Sequence, residues 1–586
     1  MAVNAVVAGA ATDAPRGREK KNFVKWPVNL PAFLSVLGGV ALIAWHASRY
    51  GAWVVDDAGI TFAYSRSLAE GLGPVVQPGA EPVEGYSNPA WMALLALGRL
   101  LGLFDHGTLF GIPDYVLFPK ALALGCCAGI LVAGYVAARA VTSRPWLVTA
   151  VFGAVLAAVP SFVIWCFSGL ENSLYALTVV WLAVLVFRAV LDDRLLSARV
   201  ALSAGGLAAL AALTRPEGLL YAAAYPLVVL IGLRRTTLGP SLRRSVLSTL
   251  AFTVPTGTYF CWRYLEFGRL LPNTVVSKRQ AAPAIENLTR SGELVTYAGA
   301  PAVLVLTALV GLSLGRPGRW RAGFLALHVP LTLALTAYAV LQPDWMGQFR
   351  FATPVWALGA LTSTLAAADA VRRARTRARV LLAATLAAAM IPSAASFTTA
   401  AEQFRAAPTF PLCFIADRYG RVFNAYADIL GTDHASLLVA DLGGSAMTSR
   451  LHLVDLGGLA DPTIATYIHD GDLTGLRNHV FTTIKPTFIT SHLHGGELNG
   501  IPTDPRLNQD YYPIFTSPHP DPVPSGDWVR KDAVPTPATL TELRAYADTN
   551  TARVDRTLNQ GNLTASGWPN NCGPTLRAGQ TQTSRR

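Results

Sequence analysis

Residues Trp53–Trp91 read WVVDDAGITFAYSRSLAEGLGPVVQPGAEPVEGYSNPAW and follow directly on an apolar run, LPAFLSVLGGVALIAWHASRY, Leu30–Tyr50. Two adjacent carboxylates, Asp56 and Asp57, stand where that run ends, and a turn-rich loop carrying Glu81 and Glu84 comes after them. Like charges this close resist ionising together, so one acid can keep a raised pKa and serve as a base while its neighbour stays charged for a metal or a hydrogen bond. Helix capping is the competing reading, because Asp is a common residue at a helix start and AGITFAYSRSLAEG continues as a helix. Spacing alone leaves both open. The stretch decides the fold if the runs around it cross a bilayer.

Composition says that they do. The chain has 586 residues, 52% hydrophobic and 14% charged, with a mean hydropathy of +0.37, whereas soluble domains carry roughly 25% charged residues. This is the composition of a polytopic α-helical membrane protein. The formal charge of +12 could signal a nucleic-acid partner, but the arginines fall in short clusters between apolar runs, which is the signature of loops on one membrane side. No nucleic acid is expected; the bilayer itself is the partner.

A spanning helix needs about 20 apolar residues. Runs near that length lie at 30–49, 115–138, 146–164, 171–187, 200–213, 218–233, 246–262, 297–315, 322–341, 353–371 and 380–398, which predicts about eleven spans. Pro89–Phe104 is short and contains Arg99. If it lies flat in the interface, every basic cluster from Arg139/Arg144 to RRARTRAR (Arg372–Arg379) falls on the side of the basic N-terminal tail, 1–29, as the positive-inside rule requires. The expected organisation is a cytoplasmic tail, a transmembrane module 30–398 with a first extracytoplasmic loop 50–114, an extracytoplasmic domain 399–570, and a flexible tail 571–586. The domain reads as α/β or α+β, since strand-like ASLLVADLGG, LHLVDLGGLAD and PTFITSH alternate with helical RVFNAYADILG. Of six cysteines, Cys126, Cys127, Cys166 and Cys261 lie in apolar spans, which leaves Cys413 and Cys572 as candidates for an extracytoplasmic disulfide.

With the sides assigned, the outward connections share a character. They carry Glu171 in SGLEN, Glu217 in LTRPEG, and the cations Arg215, Arg263, Arg269, Lys278, Arg279 and Arg350. Both glutamates also suit helix starts on electrostatic grounds. Outward cations run against the positive-inside trend, and Arg and Lys are the residues that hold phosphate. Paired acids beside such cations point to an acid/base site next to a phosphate site. The histidines His434, His452, His469, His479, His492 and His494 include a pair in SHLHGG that shares one face of a strand; no third metal ligand is marked by spacing, and ordinary surface histidines are the simpler reading. No cofactor is marked by a motif, a divalent metal remains open, and Asp56 and Asp57 are the candidates to hold one.

The order and wording of the first loop, SGLEN, LTRPEG, FGRLLPNTVVSK, DWMGQFRF and VDLGGLADPTIA resemble the GT-C superfamily of integral-membrane glycosyltransferases. Within it the chain is most similar to the mycobacterial terminal β-arabinofuranosyltransferases, over roughly residues 30–490. At EGYSNP (Glu84–Pro89) it departs from the mycobacterial pattern, which bears on the sugar more than on glycosyl transfer. The resemblance implies a bacterial inner (plasma) membrane enzyme with an extracytoplasmic site, which passes arabinofuranose from a polyprenyl-phosphate donor to a glycan acceptor with inversion. Asp56 or Asp57 would be the base, with Glu84 orienting the acceptor or a metal. Lys278 and Arg350, then Arg215 and Arg263, would receive the donor phosphate; Glu171, Glu217, Asn273, Asp344 and Trp345 would support the acceptor or the site. One alternative is a GT-C transferase that passes another polyprenyl-phosphate sugar to a glycolipid or protein. Another, a transporter or flippase of a lipid-linked anion, would need charges near the bilayer midplane and commonly a repeat; here the charges gather at one face.

Overall fold

The computed structural model describes residues 30–278, 285–341, 344–492, 499–517, 523–559, 572–573 and 575–580. The tail 1–29, Arg279 and His494 lie outside the described residues.

All eleven apolar runs form helix; by length and composition six to eight spans stand out among the described residues, short of the eleven expected. Six helices are long and apolar enough to cross a membrane: α1 (Leu30–Ser48), α4 (Asp114–Ala138), α7 (Asn172–Leu191), α14 (Arg319–Val340), the segment Arg350–Arg373 containing α15 (Thr353–Arg373), and α16 (Thr376–Ala406). Two bent pairs raise the number to eight if each is one span. These are α5 (Pro145–Ala158) with α6 (Pro160–Cys166), bent by 82°, and α12 (Ser291–Ala298) with α13 (Ala300–Leu314), bent by 104°. Pro160 forces the first break, since it has no N–H to continue the ladder and excludes the residue before it from helical geometry. At the second, Gly299 has φ +84°, and a Cβ there would sit 2.8 Å from Ser393 Oγ, so only glycine fits.

The remaining runs fall short for identifiable reasons. α8 (Ala198–Thr214) has 17 residues, about 25 Å of helix against a hydrocarbon core of about 30 Å. Pro216 opens a 3₁₀ segment, Pro216–Ala223, before α9 (Ala224–Ile231). α10 (Leu238–Phe267) is long, with 30 residues, but carries Arg243, Arg244, Arg263 and Glu266.

The first loop folds as α2 (Asp56–Ala69) and α3 (Pro89–Leu100). α3 has 12 residues, about 18 Å of helix, which is too short to cross. It buries Trp91 and Leu95, and Arg99 bonds Glu70 at 2.6 Å and Asp105 at 2.9 Å. A two-stranded hairpin, β1 (Thr108–Leu109) with β2 (Ile112–Pro113), closes the loop.

Beyond Pro411 the chain builds a five-stranded mixed sheet of order β4-β3-β5-β7-β6. β3 (Ser436–Val439) is parallel to β4 (His452–Asp455) and β5 (Phe488–Ser491), while β7 (Gly526–Arg530) runs antiparallel to β5 and to β6 (Tyr511–Thr516). The strand-like stretches of the sequence are the three parallel strands. Alternation decides which residues face which core. Leu437, Val439, Leu453, Phe488 and Val529 pack with Ile60, Tyr64 and Tyr86 of the first loop. Their neighbours Leu438, Val454, Ile489 and Trp528 form a separate cluster on the other face.

Sheet and first loop therefore share one core. A disulfide joins Cys413 to Cys572, and the described residues that follow are held down: Leu576 N–H donates to Met447 O at 3.0 Å and Gly579 N–H to Arg450 O at 2.9 Å.

Candidate active site

The two acids share a sequence context and diverge in space. α2 begins at Asp56 with Val55 as its N-cap and no side-chain cap bond, so neither carboxylate caps its own helix. Asp56, 4% exposed, instead accepts from Gly444 N–H at 2.6 Å and Gly443 N–H at 3.2 Å. These open α19 (Gly443–Thr448), 387 residues further along the chain. A Cβ on Gly443 would lie 1.8 Å from Asp56 O, so this approach requires glycine. The start of α2 is fixed from a third segment: Asp56 N–H donates to Phe410 O at 2.9 Å and Leu412 N–H to Val54 O at 2.9 Å.

Asp57, one helical step round, faces the other way and lines a cleft of about 310 Å³. Lys278, Arg350, Arg215, Glu171 and Glu217 line the same cleft. Residues drawn from five connections, far apart in the chain, thus meet in one place. Burial raises the Asp57 carboxyl above the ordinary range; Lys278 and Arg350 pull it back down, while Asp344 and Asp441 push it up. Asp56 is raised well above its usual value, first by burial and then by Asp441 and Asp57, against the two glycine N–H groups.

The cations differ in how fully they are occupied. Arg215 is buried, pairs with Glu171 at 2.5 Å and with Glu217, and lies 4.9 Å from the Phe351 ring. Glu171 also accepts from Asn88 Nδ2 at 2.6 Å. Arg350 pairs with Asp344, donates to Met346 Sδ at 3.0 Å and lies 5.0 Å from Phe351. Lys278, at the end of α11 (Asn273–Ser277), is exposed, and among the described residues no ion pair is formed by its ammonium group. It is the cleft's spare positive charge.

Six sequence candidates lie outside the lining: Asp56, Glu84, Arg263, Asn273, Asp344 and Trp345. Glu84 is 1% exposed and bound to Arg263 at 2.5 Å and to Tyr259 Oη at 2.6 Å. Burial raises its carboxyl, and the Arg263 hydrogen bond opposes the shift. The pair ties the first loop to α10, so neither partner is placed to meet a ligand in the cleft. Asn273 is equally committed: Nδ2 donates to Gly458 O at 2.7 Å and Leu459 O at 3.0 Å, and Ser277 Oγ donates to Gly457 O. Those bonds clamp α11, and Lys278 with it, to the loop after β4. Trp345 is 60% exposed beside Asp344, its ring 5.9 Å from Phe410.

Thr61, Tyr86 and Asn88 also line the cleft and were not singled out in the sequence, although Tyr86 and Asn88 sit within EGYSNP. Among the described residues no group of three or more His, Cys, Asp or Glu could hold a metal. Asp56 is engaged by the Gly443 and Gly444 N–H groups, while Asp57 lines the cleft. The arrangement can accept a proton at Asp57, hold an anion at Lys278 and Arg350, and cover apolar chain with Ile60, Leu170, Val275, Val340 and Leu341.

No family model matches the sequence, and no curated protein matches it. Among solved structures, ArnT from Cupriavidus metallidurans, in a crystal structure bound to undecaprenyl phosphate, superposes with a TM-score of 0.51 at 13% identity, over 86% of this chain and 98% of that one. The apo oligosaccharyltransferase of Archaeoglobus fulgidus gives 0.48 at 11% identity, covering 90% of this chain and 78% of that one. The oligosaccharyltransferase AglB of the same organism, in complex with an inhibitory peptide and a dolichol-phosphate, gives 0.46 at 11%, with 82% and 73% covered. At such identities the likeness is one of fold, and the chain has a helical, membrane-type fold similar to that of ArnT.

Proposed function

We propose that the protein is a membrane glycosyltransferase that moves a sugar from a polyprenyl-phosphate donor to a glycan acceptor, with arabinofuranose as the sugar and the extracytoplasmic face of a bacterial plasma membrane as the site. The observation that carries this reading is the single cleft in which a partly exposed carboxylate, Asp57, faces a spare ammonium, Lys278, and a buried guanidinium, Arg350. The fold likeness to ArnT, whose crystal structure holds undecaprenyl phosphate, supports the lipid-phosphate part. The motif order from SGLEN to VDLGGLADPTIA supports the sugar.

The chemistry follows from the charges. The donor phosphate rests on Lys278 and Arg350, with its prenyl chain along the apolar lining, and the anomeric carbon lies between phosphate and Asp57. An acceptor hydroxyl attacks that carbon from the Asp57 side, the bond to the lipid phosphate breaks, and the configuration inverts. Asp57 takes the hydroxyl proton as the attack proceeds, and its raised pKa brings a carboxylate closer to the working pH of a general base. Negative charge grows on the departing phosphate, where the cations are worth most. Arg215, already shared between Glu171 and Glu217, holds the walls of the cleft rather than the ligand.

The test is transfer by purified protein in liposomes from radiolabelled decaprenylphosphoryl arabinose to an arabinan oligosaccharide, followed by a panel of other polyprenyl-phosphate sugars. Transfer from the first donor supports the whole reading, transfer from another replaces the sugar, and failure across the panel by folded protein overturns the transferase.

A further inference from the structure

Arg350 enters the cleft from a turn that local preference disfavours. Gly347, Gln348 and Phe349 all have positive φ, at +71°, +48° and +52°. Glycine takes that region freely, whereas Gln and Phe occupy it against their steric preference. Such a turn persists only where its surroundings hold it. Here they hold it by its carbonyls. Gln348 O accepts from Ser161 Oγ at 2.7 Å and from Trp165 Nε1 at 2.9 Å. Met346 O accepts from Thr409 Oγ1 at 2.8 Å, and Arg350 O accepts from Thr353 Oγ1 at 2.8 Å and Asn172 Nδ2 at 3.2 Å. Gln348 O belongs to the peptide that links the two left-handed side-chain-bearing residues, so its two donors fix the strained part of the turn.

Both donors lie on α6, four residues apart, which puts them on one helix face. The 82° bend at Pro160 sets α6 across the line of α5. Ser161 is itself anchored: its N–H donates to Tyr297 Oη at 3.0 Å, and its Oγ accepts from Trp356 Nε1 at 2.8 Å. Trp165 is fully buried, and its ring lies 5.8 Å from the Arg350 guanidinium and 6.1 Å from the Trp53 ring. Just past α6, Ser168 O accepts from Val55 N–H at 3.0 Å. One short segment is therefore tied both to the start of α2, which carries Asp57, and to the turn that carries Arg350.

We infer that Trp165 and Ser161 are positioning residues of the donor site: by bonding Gln348 O they keep the turn before Arg350 left-handed, and the turn keeps the Arg350 guanidinium in the cleft for the lipid phosphate. Neither residue lines the cleft, so both act through Arg350. Phosphate then meets a cation whose place is set before it arrives, which is what makes such a charge effective. This inference rests on the transferase reading and adds to it the device that holds its donor side ready.

The experiment is a double-mutant cycle read as donor affinity. Protein in nanodiscs is titrated with decaprenyl phosphate in the wild-type, Arg350→Met and Lys278→Met backgrounds, with melting temperatures taken on the same samples. Ser161→Ala and Trp165→Phe each remove one donor to Gln348 O, and each is expected to weaken binding roughly three- to tenfold in the wild-type background. The loss should vanish in the Arg350→Met background, where Lys278 keeps binding measurable, and persist in the Lys278→Met background. Gln348→Gly, which adopts positive φ without steric cost, should restore part of the affinity lost in Ser161→Ala. Wild-type affinity in Ser161→Ala, and in Trp165→Phe if that variant folds, overturns the inference and leaves the transferase reading intact. An equal loss in the Arg350→Met background also overturns it, since the two residues would then act by packing alone. Failure of wild type to bind decaprenyl phosphate overturns the transferase reading, and the positioning role with it.

Discussion

Adjacent in sequence, Asp56 and Asp57 have separate tasks because one helical step turns a side chain by about 100°. Asp56 joins α2 to α19, whereas Asp57 lines the cleft. Asp57→Asn is expected to lower kcat/KM by about 10²–10⁴, the usual worth of a general base, with the melting temperature held or raised. Asp56→Asn is expected to lower the melting temperature and to leave a larger share of activity. Parallel assays and thermal melts of the two variants check this.

The pH dependence has a definite sign. Because Asp57 is raised by burial and must be unprotonated to act, kcat/KM rises with pH, with its acidic limb above the ordinary carboxylate range of about 4. The same shift makes ionisation cost stability in the folded state, so this group's contribution to stability falls as pH rises from about 4 through its folded pKa. For Lys278, a hydrogen bond to a charged group is worth about 1.5–3 kcal/mol. Lys278→Met should therefore weaken decaprenyl phosphate binding roughly 10–100-fold, measured by titration.

At the scale of elements, the loop after β4 sets the position of α11. Asp455 accepts from Gly457 N–H at 2.9 Å and Ala460 N–H at 2.7 Å, and the shaped loop then receives Asn273 and Ser277. Burial raises Asp455 to about 7, so the folded state binds a proton that the unfolded chain gives up near pH 4, and stability from this group falls between about pH 4 and pH 7. Thermal melts across that range should show a slope that Asp455→Asn flattens. The disulfide from Cys413 to Cys572 closes a loop across a sequence separation of 159, and Cys413→Ser with Cys572→Ser should cost about 2–5 kcal/mol, read as a lower melting temperature.

Much of this level was legible in the sequence. Helices announced themselves by apolar length, β3 and β4 by short apolar runs ending in Gly, β5 by the apolar run of PTFITSH, and the shortness of α3 by its run length and Arg99. The number of spans was not, because apolar length does not show where Pro160 or Gly299 bends a run, or that Pro216 starts one in 3₁₀ geometry. At the candidate site, residue types and motif order picked out connections that line one cleft. Pairing was hidden: nothing local marks that Arg263 is taken by Glu84 while Lys278 stays spare, since those partners are chosen by tertiary contacts.

At the scale of the molecule, the sheet domain is no appended module. Its Phe414, Tyr419 and Phe423 share a core with Ile60, Tyr64 and Met92 of the first loop, and Cys413, Ala416 and Met447 belong to the cluster that runs through the membrane helices. The sheet and α2 are thus joined through shared cores, as a site built from distant segments requires.

The arginine clusters predict the sidedness. A cysteine replacing exposed His434 should react with a membrane-impermeant thiol reagent added outside intact cells, and one replacing Arg377, beyond α15, only after the membrane is opened. The transferase chemistry itself is tested most directly by a single-turnover comparison of wild type, Asp57→Asn and Asp56→Asn in liposomes, with binding of the polyprenyl-phosphate donor measured on the same samples. Retained donor binding with transfer lost in Asp57→Asn and substantially kept in Asp56→Asn is the expected result. Undiminished transfer by Asp57→Asn would contradict Asp57 as the base, and with it the chemistry assigned to the cleft.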